Sequence, residues 1–193
     1  MVTVALRDGV VVGDPFAQAL AFLEAYGAPR DDPRSSSFAE ADLRAANRGG
    51  ARISAAEIAT ILERRAEIED ALRAIVPAAS LTRRSVPWAE LTRLFGAFGG
   101  IRGVGFSKMT KALHPKRPAL VPMLDSVVQQ YLGAPSAEPF GEGASELVRR
   151  YKEDLDRNRP ALREVKRELA SRGYRLTEVR ILDLVIWSAF AES

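Results

Sequence analysis

Between Phe98 and Val128 the chain reads FGGIRGVGFSKMTKALHPKRPALVPMLDSVV, and three groups of residues there have types and spacing suited to chemistry. Gly103-Val104-Gly105 makes a tight turn that opens a short helical pattern, Phe106 to Leu113. Glycine carries no Cβ, so the backbone can come close to a ligand. The amides that start the next helix point outward at the positive end of its dipole, which suits an anion. Lys108 and Lys111 fall within the next two turns, with Ser107 beside them, where a phosphate backbone would pass. Contacts of that kind fix position on a strand and carry no sequence information. Lys116 and Arg117 continue the basic run around the only histidine, His114. Asp125 is then the first acidic residue since Glu90. A carboxylate there can act as a base, or as the N-cap of the helix that follows, and Asp125-Ser126 suits a cap well.

The charge is unevenly spread. Of 28 Lys and Arg, six lie between Leu91 and Leu124, where there is no acid; the rest of the chain holds 22 basic and 25 acidic residues, so the net +3 comes from that one stretch. A polyanion site needs such a concentration, while a solvated basic face without a partner produces the same run. With no cysteine, disulfides, zinc thiolates and cysteine-held iron–sulfur clusters are excluded. A single histidine without partner ligands makes no metal site, so neither metal nor cofactor is expected. The first residues contain no long apolar segment, and no run of about 18 apolar residues occurs, so no membrane partner and a cytoplasmic location are expected.

The elements around this stretch read as helices. Val2–Leu6 and Val10–Val12 flank Asp8-Gly9 and suggest a small β-ribbon. Asp14-Pro15 opens a helix that Gly27 stops near Tyr26. Ala28 to Ser37 is a polar loop, and Phe38 to Ala46 is helical. Ser54 with Glu57 forms a capping box for a helix running through Ile58, Ile61, Leu62, Ile68, Leu72 and Ile75 until Pro77. Trp88 to Phe98 is helical, with Leu91, Leu94, Phe95 and Phe98 spaced for burial. Gly133 to Gly143 reads as a Pro/Gly loop. Two amphipathic helices, Ala144–Arg157 and Pro160–Ser171, precede a nearly all-apolar helix, Thr177 to Phe190, of the kind that lies in a core. The expected fold is all-α: one compact domain over residues 1–193, with eight or nine short helices. Arg180 and Asp183, spaced i,i+3 on the last helix, predict a partly buried ion pair; an acid so placed facing a pocket is the alternative.

Residues 98–128 resemble the helix-hairpin-helix element of the DNA glycosylase superfamily. There a hairpin much like Leu-Pro-Gly-Val-Gly precedes, by about twenty residues, an aspartate in a Val-Asp-Thr-His-Val-like motif. Here Ile101-Arg102-Gly103-Val104-Gly105 is followed twenty positions on by Leu124-Asp125-Ser126-Val127-Val128. The resemblance implies that Gly103, Gly105, Ser107, Lys108 and Lys111 contact the phosphates of double-stranded DNA. It implies Asp125 as the catalytic carboxylate and, for the fold, a helix-hairpin-helix element. Bifunctional members carry a lysine two positions after the second glycine; that position is Ser107, which implies hydrolysis by water without a lysine intermediate. Arg102 replaces the usual proline, Met109 a small residue and Gln130 an arginine; the cluster cysteines are absent. Phe106, Trp88 and Tyr131 are candidates to stack on a flipped base. A non-catalytic DNA-binding module, or an inherited scaffold with another purpose, are the competing readings.

Overall fold

The computed structural model describes residues 2–27, 31–135 and 139–191. The loops expected over 28–37 and 133–143 lie outside the described residues at 28–30 and 136–138. Strands β1 (Val4–Ala5) and β2 (Val11–Val12) pair antiparallel, Val4 opposite Val12, across the Asp8-Gly9 turn. The Asn158 side chain extends this ribbon, accepting from the Ala5 amide and donating to its carbonyl, both at 2.8 Å.

Ten α-helices follow among the described residues: α1 (Pro15–Tyr26), α2 (Glu40–Arg48), α3 (Ala55–Glu63), α4 (Arg65–Ala74), α5 (Trp88–Gly96), α6 (Phe106–Leu113), α7 (Ser126–Leu132), α8 (Phe140–Arg157), α9 (Arg159–Ser171) and α10 (Glu178–Phe190). The N-caps read from sequence hold, Asp14 accepting from the Ala17 amide and Ser54 from that of Glu57. Helix α10 is the central rod. Val179, Ile181, Leu182, Leu184, Val185 and Ile186 are all buried, each stabilising the fold by about 1.5–3 kcal/mol, and α1, α7, α8 and α9 pack around it.

Three expectations need correction. The helix expected from Ser54 to Ile75 is two, broken at Arg64 (φ −96°, ψ 12°). Arg64 turns its guanidinium to the carbonyls of Ala97 and Gly99 after α5, at 3.2 and 2.6 Å. Helix α2 runs on to Arg48, and Asn47 closes the loop behind it: its amide donates to Ile53 O at 2.8 Å and accepts from Ile53 N at 2.6 Å. That clamp accounts for the glycine pair at 49–50. Third, Gly141 and Gly143 lie inside α8 and not in a loop.

Gly141 is small because α8 lies against α5 there. A Cβ at 141 would stand 2.6 Å from Thr92 O and 2.9 Å from Gly96 N, and a hydroxyl pair, Thr92 and Ser145 at 2.6 Å, ties the same face. Backbone cannot yield as a side-chain tip can, so Gly141→Ala is expected to cost about 1–3 kcal/mol despite the better helix propensity of alanine. A thermal melt of the variant checks this; an unchanged or raised midpoint would contradict it.

No helix among the described residues is long and apolar enough to cross a membrane.

Candidate functional site

The segment from Arg117 to Asp125 has no regular structure of its own and is held from several sides. His114, which caps α6, bonds through Nδ1 to Val121 O at 2.7 Å. Thr177, the N-cap of α10, donates to Pro118 O at 2.9 Å. The Met123 amide donates to Asp183 Oδ2 at 3.2 Å, and the Leu124 amide to Thr110 Oγ1 at 3.0 Å. These anchors deliver Asp125 to the start of α7, where Oδ1 accepts from the Val128 amide at 3.0 Å. The carboxylate is therefore an N-cap, and it remains partly exposed. Thr110 follows Gly105 by five residues, about 7.5 Å along α6, so α6 connects the glycine turn to the aspartate.

Behind Asp125 lies a buried polar group. Asp183 is 2 % exposed and His114 0 %. The expected Arg180–Asp183 ion pair is loose, at 4.0 Å, because Arg180 Nη1 lies 3.1 Å from the Met123 sulfur. Burial pushes the Asp183 carboxyl up to about 7; Arg180 and the Met123 amide oppose the rise, and Asp125 adds to it. Burial likewise drives His114 down to about 3, and Arg180 repels its proton further. Tyr151, whose phenol burial pushes well above its ordinary value, borders Asp183 and donates to Val179 O at 2.6 Å. His114 Nε2, Asp183 Oδ1 and Arg180 Nε are buried without a hydrogen-bond partner.

The glycine turn has an anion on it already. Gly103 takes φ 83°, and a Cβ there would overlap the Glu57 carboxylate. Glu57 accepts from Lys108 Nζ at 2.6 and 2.8 Å and from the Ser54 amide at 2.7 Å. Burial works against its charge, but the bonds from Lys108 and Ser54 hold the carboxyl below its usual range. Gly105 and the partly exposed Ser107 lie at the head of α6, and a Cβ at 105 would meet open space. Lys111 donates to Gly49 O at 3.2 Å at the end of α2. Lys116 is buried against Asp42 at 2.8 Å, and Arg117 is 1 % exposed. Of the six basic residues between Leu91 and Leu124, Arg93 and Arg102 are exposed, Lys108 and Lys111 are partly exposed and engaged, and Lys116 and Arg117 face inward.

Of the residues expected to stack on a base, Tyr131 is buried, donating to Asp154 at 3.0 Å and accepting from the Arg7 amide at 3.1 Å. Phe106 packs on Phe140 at 4.7 Å, and Arg149 lies 4.9 Å over the ring of Trp88. None of the three touches the acid cluster in any contact the structure shows. Two surface clefts, of about 480 and 680 Å³, lie at the α5–α8 crossing and before α5, away from these acids. Among the described residues no cluster of three or more His, Asp or Glu could hold a metal ion.

Residues 14–190 match the family described as Family of unknown function (DUF6308). The chain belongs to that family. No curated protein matches it, and no solved structure does. The DUF6308 chain therefore has to be read from its own groups.

Sequence reasoning singled out Asp125, the glycine turn and the Arg180–Asp183 pair but did not place His114 with that pair. Spacing on one helix cannot show that His114, over sixty residues earlier, folds beside it.

The set has a signature in pH. Between about pH 4 and 6.5 the unfolded chain carries Asp183 and His114 both charged, and the folded chain carries both neutral. Proton counts are equal, so the pair gives stability no slope. Asp183→Asn leaves the histidine alone. The unfolded state then binds the extra proton, and the variant's stability relative to wild type should rise from about pH 4 to 7. His114→Gln should show the opposite, falling relative to wild type from about pH 4 to 6.5. Melting curves at a series of pH values read this directly; parallel profiles for all three proteins would contradict it.

Proposed function

We propose that this DUF6308 chain is a DNA-binding protein of helix-hairpin-helix type that hydrolyses the N-glycosidic bond of a damaged base, with Asp125 as its catalytic carboxylate. The observation that carries the reading is the Asp125 carboxylate itself: partly exposed at the head of α7, twenty residues after the glycine turn and anchored to the same helix through Leu124 and Thr110. The duplex bends and one nucleotide leaves the stack, at a cost of a few kcal/mol that is least for a damaged or mispaired base. As the bond from C1′ to the base nitrogen breaks, its electron pair leaves with the base and positive charge grows on the sugar. Asp125 stabilises that charge and takes a proton from the water that attacks C1′, leaving an abasic sugar. Ser107 occupies the lysine position of bifunctional enzymes and Lys108 is held by Glu57, so a lysine adduct is not part of the route.

The test is a panel of duplexes, each with one altered base, incubated with the protein and then cleaved by alkali at abasic sites. Strand breaks after alkali but not before support the reading; intact strands across the panel count against it.

One observation favours a second reading, a scaffold without phosphate binding: the Glu57 carboxylate lies on Gly103 and neutralises Lys108. The two separate on salt. A contacting lysine contributes about one unit to the slope of log affinity against log salt. Because Lys108 is engaged, Lys108→Ala is expected to leave that slope unchanged while duplex binding persists through the exposed turn amides. Absence of any salt-dependent duplex binding in the wild type would favour the scaffold reading.

A further inference from the structure

The acid on the glycine turn is more than a helix cap. In the capping box of α3, Glu57 Oε2 accepts from the Ser54 amide at 2.7 Å, and Ser54 Oγ accepts from the Glu57 amide at 3.3 Å. A glutamine would serve that box equally well, so the cap does not account for the charge. Oε1 reaches away from α3 and lies 2.2 Å from where a Cβ on Gly103 would stand. Both oxygens accept from Lys108 Nζ on α6, at 2.6 and 2.8 Å.

The Lys108 and Glu57 side chains are only 22 % and 13 % exposed, so salt screens this pair less than it would a surface pair. Burial opposes the charge on Glu57, yet the bonds from Lys108 and Ser54 keep the carboxyl below its usual range. It stays ionised at neutral pH, and acidity is not what releases it. Carboxylate and phosphate compete for the same partners, a cation and the backbone at a helix start. With Glu57 in place the charge of Lys108 is taken up, and a second anion at Gly103 meets repulsion. Ser54, Ala55 and Ala56 beside it are small and exposed, which leaves the glutamate solvent to turn into.

We propose that Glu57 is a built-in competitor at the glycine turn, its carboxylate occupying the place of a strand phosphate between Gly103 and Lys108. Duplex held by the exposed turn amides leaves the pair closed, and Lys108 joins the contact only once the carboxylate is gone. The occupancy stands on the contacts with Gly103 and Lys108; naming the displaced ligand a DNA phosphate rests on the DNA-binding reading.

Glu57→Gln keeps the capping box and the side-chain volume and removes the charge. Duplex binding by fluorescence anisotropy over a salt series reads the effect, with a melting curve to show that each variant is folded. The variant is expected to bind about 8-fold more tightly at about 0.1 M salt, with a slope steeper by about one unit, the contribution of one freed lysine. Glu57→Gln/Lys108→Ala should return to the wild-type affinity and slope. Glu63→Gln makes the same change in net charge at an exposed site on the same helix, and should stay within about twofold of wild type. Wild-type binding that Glu57→Gln leaves unchanged would overturn the competitor and keep the DNA reading. So would an equal gain in Glu63→Gln, or a gain that survives the loss of Lys108. Binding by Glu57→Gln alone would support the competitor and count against DNA binding by the wild-type chain; no binding by either protein would sink both.

Discussion

Asp125→Asn should lower base release at least about 100-fold while the protein stays folded and still binds duplex. The substitution keeps the cap, since asparagine serves an N-cap as well as aspartate does, and the bond to the Val128 amide persists. What goes is the negative charge. Water then lacks its base, a loss of about 10²–10⁴-fold, and the sugar cation lacks its counter-charge, a loss of about 10²–10³-fold. The melting midpoint should move by no more than about 2 °C. Asp125→Ala would lose the cap as well and cost about 1 kcal/mol more, so the pair of variants separates chemistry from capping. Excision that survives in the asparagine variant would refute the assignment.

Arg117→Met is expected to be the most destabilising single change. The guanidinium, 1 % exposed, donates to Lys116 O at 2.6 Å, Leu72 O at 2.7 Å, Ser35 O at 3.0 Å and Pro33 O, Ser36 Oγ and Ile75 O each at 3.1 Å. It caps the end of α4 and holds the loop before α2 to the same point. Methionine fills the volume but leaves those carbonyls bare in the interior. The loss should be about 3–5 kcal/mol, a large share of the 5–15 kcal/mol typical of a domain. At about 2–4 °C per kcal/mol for a chain of this size, the midpoint should fall by about 10 °C. Lysine should not rescue it, because one ammonium with three donors cannot serve six acceptors on three segments. A melt within 2 °C of wild type would contradict this account of Arg117.

Arg117 also marks where reading the chain by itself stops. Local signals carried well. Asp14 and Gly27 bound α1, Ser54 and Glu57 open α3, and the ribbon closes at Asp8-Gly9. Each is set by residues a few positions apart. The charge run did not carry, because a count of lysines says nothing of which way they face. Lys116 and Arg117 turn inward to partners at Asp42 and Leu72, and Lys108 meets Glu57, fifty-one residues earlier. The break at Arg64 has the same cause, a guanidinium drawn to the carbonyls that end α5. Gly141, taken as a loop residue, is a close-contact residue inside a helix. At the candidate site Asp125 was singled out from its spacing to Gly105, whereas the acid at 183 gains its character from burial, Arg180 and the Met123 amide, brought together only by the fold.

The most direct measurement is base release under single-turnover conditions, with protein in excess over duplexes carrying one altered base and borohydride present in a parallel reaction. The account predicts free base and an alkali-labile abasic site from at least one duplex, with no protein–DNA adduct trapped by borohydride. A trapped adduct would place a lysine in the reaction, and duplex bound throughout the panel without base release would remove Asp125 from any catalytic role.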